Sequence, residues 1–73
     1  MLINIKSQSP VLTGIFDVNC VVENAYYFEA NGKSAVAIWH KKENTGSVSF
    51  APKNINPNKM PKVFTITEFK EER

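Results

Sequence analysis

The stretch Glu23–Lys42, ENAYYFEANGKSAVAIWHKK, reads as one β-hairpin that turns on Asn31-Gly32. A type I′ turn needs positive φ at both central residues, which asparagine tolerates and glycine adopts freely. The two-residue loop sets the register: Ala30 opposite Lys33, Phe28 opposite Ala35, Tyr27 opposite Val36, Tyr26 opposite Ala37 and Ala25 opposite Ile38. Large residues thus meet small ones across the ladder, which suits cross-strand packing. One face carries Val22, Tyr26, Phe28, Ala35, Ala37 and Trp39; the other carries Val21, Ala25, Tyr27, Val36 and Ile38. Both are apolar, whereas a sheet with one solvated side alternates apolar with polar. The second face is expected to be covered, by closure of the chain's own strands or by a partner.

Outward from the hairpin, β-type patterning continues. Met1–Lys6 reads as a short strand, and Ser7-Gln8-Ser9-Pro10 as a loop. Val11–Val22 is extended and rich in β-branched residues. Within it, Gly14 marks a bulge or bend, or Asp17-Val18-Asn19 forms a turn that divides it into two strands. Asn44-Thr45-Gly46 suits a three-residue hairpin loop with glycine in the left-handed region, leading into a strand in which Val48 and Phe50 alternate with Ser47 and Ser49, half exposed and near a sheet edge. Pro52 ends that strand, Lys53–Pro61 is a loop, and Lys62–Phe69 has strong strand propensity. The expected fold is all-β, a small antiparallel meander or partly open barrel of about five strands. Residues 1–69 form one domain and 70–73 a solvated, flexible tail, with disorder starting as early as about residue 52.

Length and composition narrow the function classes. A single domain of 73 residues has little core, and its expected stability is roughly 3–5 kcal/mol. Cys20 is the only cysteine, so no disulfide can form, and with His40 the only histidine a zinc site of the usual type lacks ligands. The lone cysteine fits a reducing cytoplasm. No signal peptide or membrane span is read from the sequence. The carboxylates Asp17, Glu23, Glu29, Glu43 and Glu68 are scattered rather than paired, and Gly14, Gly32 and Gly46 are isolated rather than gathered in a phosphate-binding loop. No catalytic, metal or cofactor site is assigned, and the chain is read as a monomeric, non-enzymatic binding protein.

Its short opening Met1-Leu2-Ile3-Asn4-Ile5, its length and its β-rich body without enzymatic motifs resemble small bacteriophage-encoded regulators that bind bacterial RNA polymerase. The likeness is one of size and character, so no residue role carries over. It implies a regulator in the host cytoplasm that blocks initiation and promotes readthrough of terminators. Phage inhibitors of host nucleases or defence proteins share the same character.

The docking surface expected for a protein partner uses the hairpin and the N-terminal strand. Ile3, Ile5, Tyr27, Trp39 and Phe50 supply its centre, with Lys41, Lys42 and Glu43 at the rim. The alternative is binding of single-stranded nucleic acid, with bases stacked on Tyr26, Tyr27, Phe28, Trp39 or Phe50 and phosphates held by Lys33, Lys41, Lys42, Lys53, Lys59 and Lys62. Accessibility of the aromatics separates the two. An open aromatic row beside lysines favours nucleic acid; a buried row with an apolar edge or a basic-acidic rim left outside favours a protein.

Overall fold

A computed structural model describes residues 1–50 and 62–72. Six antiparallel strands follow one another around a closed barrel: β1 (Leu2–Ser7), β2 (Gly14–Val22), β3 (Ala25–Ala30), β4 (Lys33–His40), β5 (Thr45–Phe50) and β6 (Val63–Glu72). The all-β antiparallel expectation holds, but there are six strands rather than about five, and β6 pairs with β1 to close the ring. A short chain gains from closure because no sheet edge is left as a template for aggregation along the paired lengths.

The central hairpin has the register that its turn dictates, from Ala30↔Lys33 to Ala25↔Ile38. Asn31 and Gly32 hold φ of 55° and 72°, as a type I′ turn requires. The outward extension differs in detail. β2 is neither split by a turn nor bent at Gly14, which instead opens the strand opposite Ile5. Its irregularity lies between Val18 and Cys20, where the register against β3 shifts by one. Residues 14–17 pair with β1 and residues 18–22 with β3, so this bulge turns one strand from one neighbour to the next. Across the two-residue Glu23-Asn24 turn, Val21 lies opposite Tyr26 and Val22 opposite Ala25, the reverse of the faces that alternation continued through the turn assigns.

Val11 and Leu12 belong to a 3₁₀ turn, Pro10–Leu12, rather than to an extended strand. Proline at its first position fixes φ without sacrificing a needed N–H. The Ser7 hydroxyl and the Thr13 hydroxyl brace the turn by donating to the Ser9 carbonyl at 3.0 Å and 2.7 Å. Leu12 is thereby pressed into the core, fully buried.

Asn44, at φ 54°, takes the left-handed position of the β4–β5 loop, so Thr45 and Gly46 already lie in β5. β6 continues through Lys70, Glu71 and Glu72, paired with Asn4, Ile3 and Leu2. These residues are strand and not a solvated tail. The proposed loop at Lys53–Pro61, the strand end at Pro52 and Arg73 lie outside the described residues.

The core is the inner face of the barrel: Ile3 and Ile5 of β1, Val18 of β2, Phe28 and Ala30 of β3, Ala35 and Ala37 of β4, Val48 of β5 and Ile66 of β6, capped by Leu12. Phe28 is only 1% exposed, with Ala35 opposite it and the ring of Phe16 at 4.6 Å. Alanines across from large side chains leave a narrow barrel room for them. Closure therefore buries one face of the hairpin and leaves the other outside.

Candidate functional site

Ladder partners share a face, so residues paired across successive strands form rows on the barrel wall. Two adjacent rows on the outside contain no charged residue. The first runs Cys20, Tyr27, Val36, Ser49, Val63; the second runs Val22, Ala25, Ile38, Ser47, Thr65. Five strands at about 4.8 Å spacing and two levels about 7 Å apart give this face on the order of 300 Å². Val63 is 59% exposed, Val22 56% and Tyr27 41%, with Val36 and Ile38 partly exposed between them. Charge begins beyond the rows, at Glu29 and Lys62 towards one end and Glu23 towards the other. An uncharged centre with a polar margin is the composition of a protein–protein interface core.

A second feature lies at the end of the barrel where β4 and β5 meet. Trp39 points inward across Gly46, its ladder partner. A Cβ on Gly46 would stand 2.4 Å from Trp39 Cε3 and 2.8 Å from the Ile38 carbonyl oxygen, so only glycine admits the indole here. The other neighbour of the indole is Phe69, stacked at 5.5 Å with an interplanar angle of 12°. Tyr26 completes the cluster, its ring 5.0 Å from Phe69. The Tyr26 hydroxyl donates to Glu71 Oε1 at 2.7 Å, and that bond, then burial and the carboxylate's charge, push the tyrosine up to about 12. Against these rings opens a cleft of about 500 Å³, rimmed by Glu23, Lys41, Lys42, Glu43 and Lys70. The β2–β3 turn is fastened beside it by the Trp39 backbone N–H, which donates to the Asn24 carbonyl at 3.2 Å.

The residues expected from sequence to form one docking surface are thus distributed over four places. Trp39, Lys41, Lys42 and Glu43 come together at the cleft. Tyr27 stands on the uncharged outer face. Phe50 is half-buried on β5, with the Lys33 ammonium 5.8 Å from its ring centre. Ile3 and Ile5 are fully buried core residues and present nothing to a partner. Alternation alone assigns Ile3 and Ile5 to one face; that this face is the interior follows only once β1 is seated between β2 and β6. Tyr26 was expected only as a base-stacking residue, and Phe69 and Glu71 are cleft residues that the sequence pattern did not single out. The signal for Phe69 was present, since a lone aromatic between Glu68 and Lys70 in a β-type run marks an inward position.

Among the described residues, no group of three or more histidine, cysteine, aspartate or glutamate side chains could hold a metal ion, and no helix is long and apolar enough to cross a membrane. No family model, no curated protein and no solved structure matches this chain.

Proposed function

We propose that the chain is a non-enzymatic protein-binding module that docks a larger assembly through its uncharged outer face. The observation that carries this reading is the pair of rows Cys20–Val63 and Val22–Thr65, ten wall positions over five strands without one charge. Seven of the ten positions are apolar and three (Ser47, Ser49 and Thr65) carry hydroxyls, and exposed apolar patches rimmed by polar residues often mark binding sites. The partner it fits presents an apolar patch of its own, because a neutral face offers a charged surface no compensation for desolvation.

The aromatics support the same choice over nucleic acid. Phe28 is in the core, Tyr26 and Trp39 are half-buried at the barrel end, and Tyr27 stands alone on the outer wall. A base-stacking platform needs open rings in succession beside cations, whereas Tyr26 and Trp39 are packed on Phe69 and of these four rings only Tyr27 is open.

Bacterial RNA polymerase is the partner we put first, following the resemblance in size and character to phage regulators of transcription. The test is binding of purified bacterial RNA polymerase to the wild-type chain and to the Tyr27→Lys and Val63→Lys variants, followed by interferometry. Both positions are exposed, so each variant retains the fold. Binding by the wild type, weakened at least tenfold in either variant, is the expected result. Failure of the wild type to bind would remove polymerase as the partner, and undiminished binding by both variants would remove this face.

A further inference from the structure

The closing strand β6 changes partner along its length, and none of its residues has a ladder partner on both sides. β5 pairs with residues 63–65, through Ser49↔Val63, Val48↔Phe64 and Ser47↔Thr65. β1 pairs with the rest, from Ser7↔Ile66 to Leu2↔Glu72. Among the described residues, the second edge of β6 from Thr67 to Glu72 has no strand beside it. The cause is visible in the register: Lys6 lies opposite Glu68 and Ser7 opposite Ile66, so Thr67 is an extra residue on β6. A bulge bends its strand and strengthens its twist. Here it carries the C-terminal half of β6 along β1 and away from β5.

Two clefts occupy the resulting split. The cleft of about 500 Å³ is lined on β6 by Phe69, Lys70 and Glu71; a second, of about 390 Å³, by Thr67, Glu68, Phe69 and Lys70. Side chains alternate across a strand, so the first opening, lined by consecutive residues, runs along the edge of β6, while the second also reaches over the outer face to Asn4 and Lys6 of β1. Trp39 lines both clefts and stacks on Phe69, forming an apolar wall on the barrel side of the split.

We propose that this edge of β6, Thr67–Glu72, is a docking site for an extended segment of a partner polypeptide, which would add to the barrel as a further strand. An open strand edge presents N–H and C=O groups at strand spacing, and an extended backbone is the ligand that satisfies them in series. The clefts fix which side chains the segment carries. Those directed to the barrel end meet Tyr26, Trp39 and Phe69 and are apolar. Those directed outward meet Asn4, Lys6, Glu68 and Lys70. Glu68 is engaged by Lys6 at 3.5 Å, and Lys70 has no ion pair among the described residues, so one outward side chain is acidic. The segment therefore alternates apolar with polar residues, with a carboxylate beside Lys70. This site is separate from the uncharged outer face and stands or falls independently of it.

The probe is a pool of acetylated, amidated octapeptides with valine, isoleucine or phenylalanine at odd positions and threonine or glutamate at even ones. Trp39 is the only tryptophan and reports binding by its fluorescence. The expected result is a saturable fluorescence change with hydrogen-exchange protection gained at Thr67–Glu72. Glutamate-containing peptides should lose about fivefold in affinity for the Lys70→Glu variant, the scale of one surface charge pair reversed. A matching pool with proline at every even position, which removes the N–H donors there, should not bind. The proposal is overturned if the first pool gives no change at millimolar peptide, if the proline pool binds equally, or if protection appears elsewhere and not on β6. Tyr27→Lys should leave peptide binding unchanged, so failure here is distinguishable from failure of the outer face.

Discussion

Gly46 is the residue on which the barrel end depends, for a reason unrelated to turn geometry. It is read from sequence as the left-handed residue of a loop, yet Asn44 holds that position and Gly46 lies in β5 under the Trp39 indole. The Ile38 carbonyl oxygen, 2.8 Å from an added Cβ, is backbone and cannot swing aside. Gly46→Ala should therefore destabilise the protein by about 1–3 kcal/mol, the ordinary scale of overpacking. Urea denaturation measures it, and the fluorescence of Trp39 should change in the folded state. Tyr26 offers a second test at this scale. Its pKa is pushed up to about 12 by the hydrogen bond to Glu71, burial and the carboxylate's charge, against about 10 for the unfolded chain. The folded state thus holds the phenolic proton more tightly, and the stabilisation is fully present below about pH 10 and lost as pH rises through about 12. Tyrosinate absorbance should show one late titration in the wild type, moved back towards the ordinary value in Glu71→Gln. An unmoved titration would mean that the Tyr26–Glu71 bond does not form in solution.

Among the elements, the β3–β4 hairpin was legible to the residue and β6 was not. Asn31-Gly32 specifies loop length, turn type and register together, so all six pairs from Ala30↔Lys33 to Ala25↔Ile38 follow from two residues. Lys70-Glu71-Glu72 carries no such signal, since a charged run at a chain end has the composition of a solvated segment. In the fold those charges are accommodated because alternate positions face outward and because Glu71, at the barrel end, accepts a hydrogen bond from the Tyr26 hydroxyl. The bulges at Val18–Cys20 and at Thr67 were likewise illegible, because each is set by which neighbour a strand must reach rather than by its own residues. Deleting residues 70–73 distinguishes strand from tail. It removes the pairs Asn4↔Lys70, Ile3↔Glu71 and Leu2↔Glu72 together with the Tyr26–Glu71 bond. At about 1 kcal/mol net per hydrogen bond the loss is about 2–4 kcal/mol, comparable with the whole stability of a domain this size. Thermal unfolding monitored by circular dichroism should show a largely unfolded chain at 25 °C; an unchanged melting curve would identify the segment as dispensable.

For the molecule as a whole, closure decides which apolar residues are structure and which are surface. The hairpin is apolar on both faces, and alternation cannot say which face turns inward. The barrel resolves this by seating Phe28, Ala35 and Ala37 in the core beside Ile3 and Ile5, so that Ala25, Tyr27, Val36 and Ile38 stand outside. The part of the docking surface placed on Ile3 and Ile5 is thereby withdrawn, and the part placed on Tyr27 is enlarged by Val22 and Val63 from neighbouring strands. An uncharged face costs solubility, which the chain's small net charge of +2 only weakly offsets, and the proposed binding role would account for that cost. The most direct measurement is quantitative capture from bacterial lysate on immobilised wild type and on Tyr27→Lys, each verified as folded by circular dichroism and melting. The account predicts that the wild type retains a protein, with RNA polymerase subunits as the first expectation, that the variant retains at a tenth of the amount or less. Equal retention by the two would contradict docking through this face.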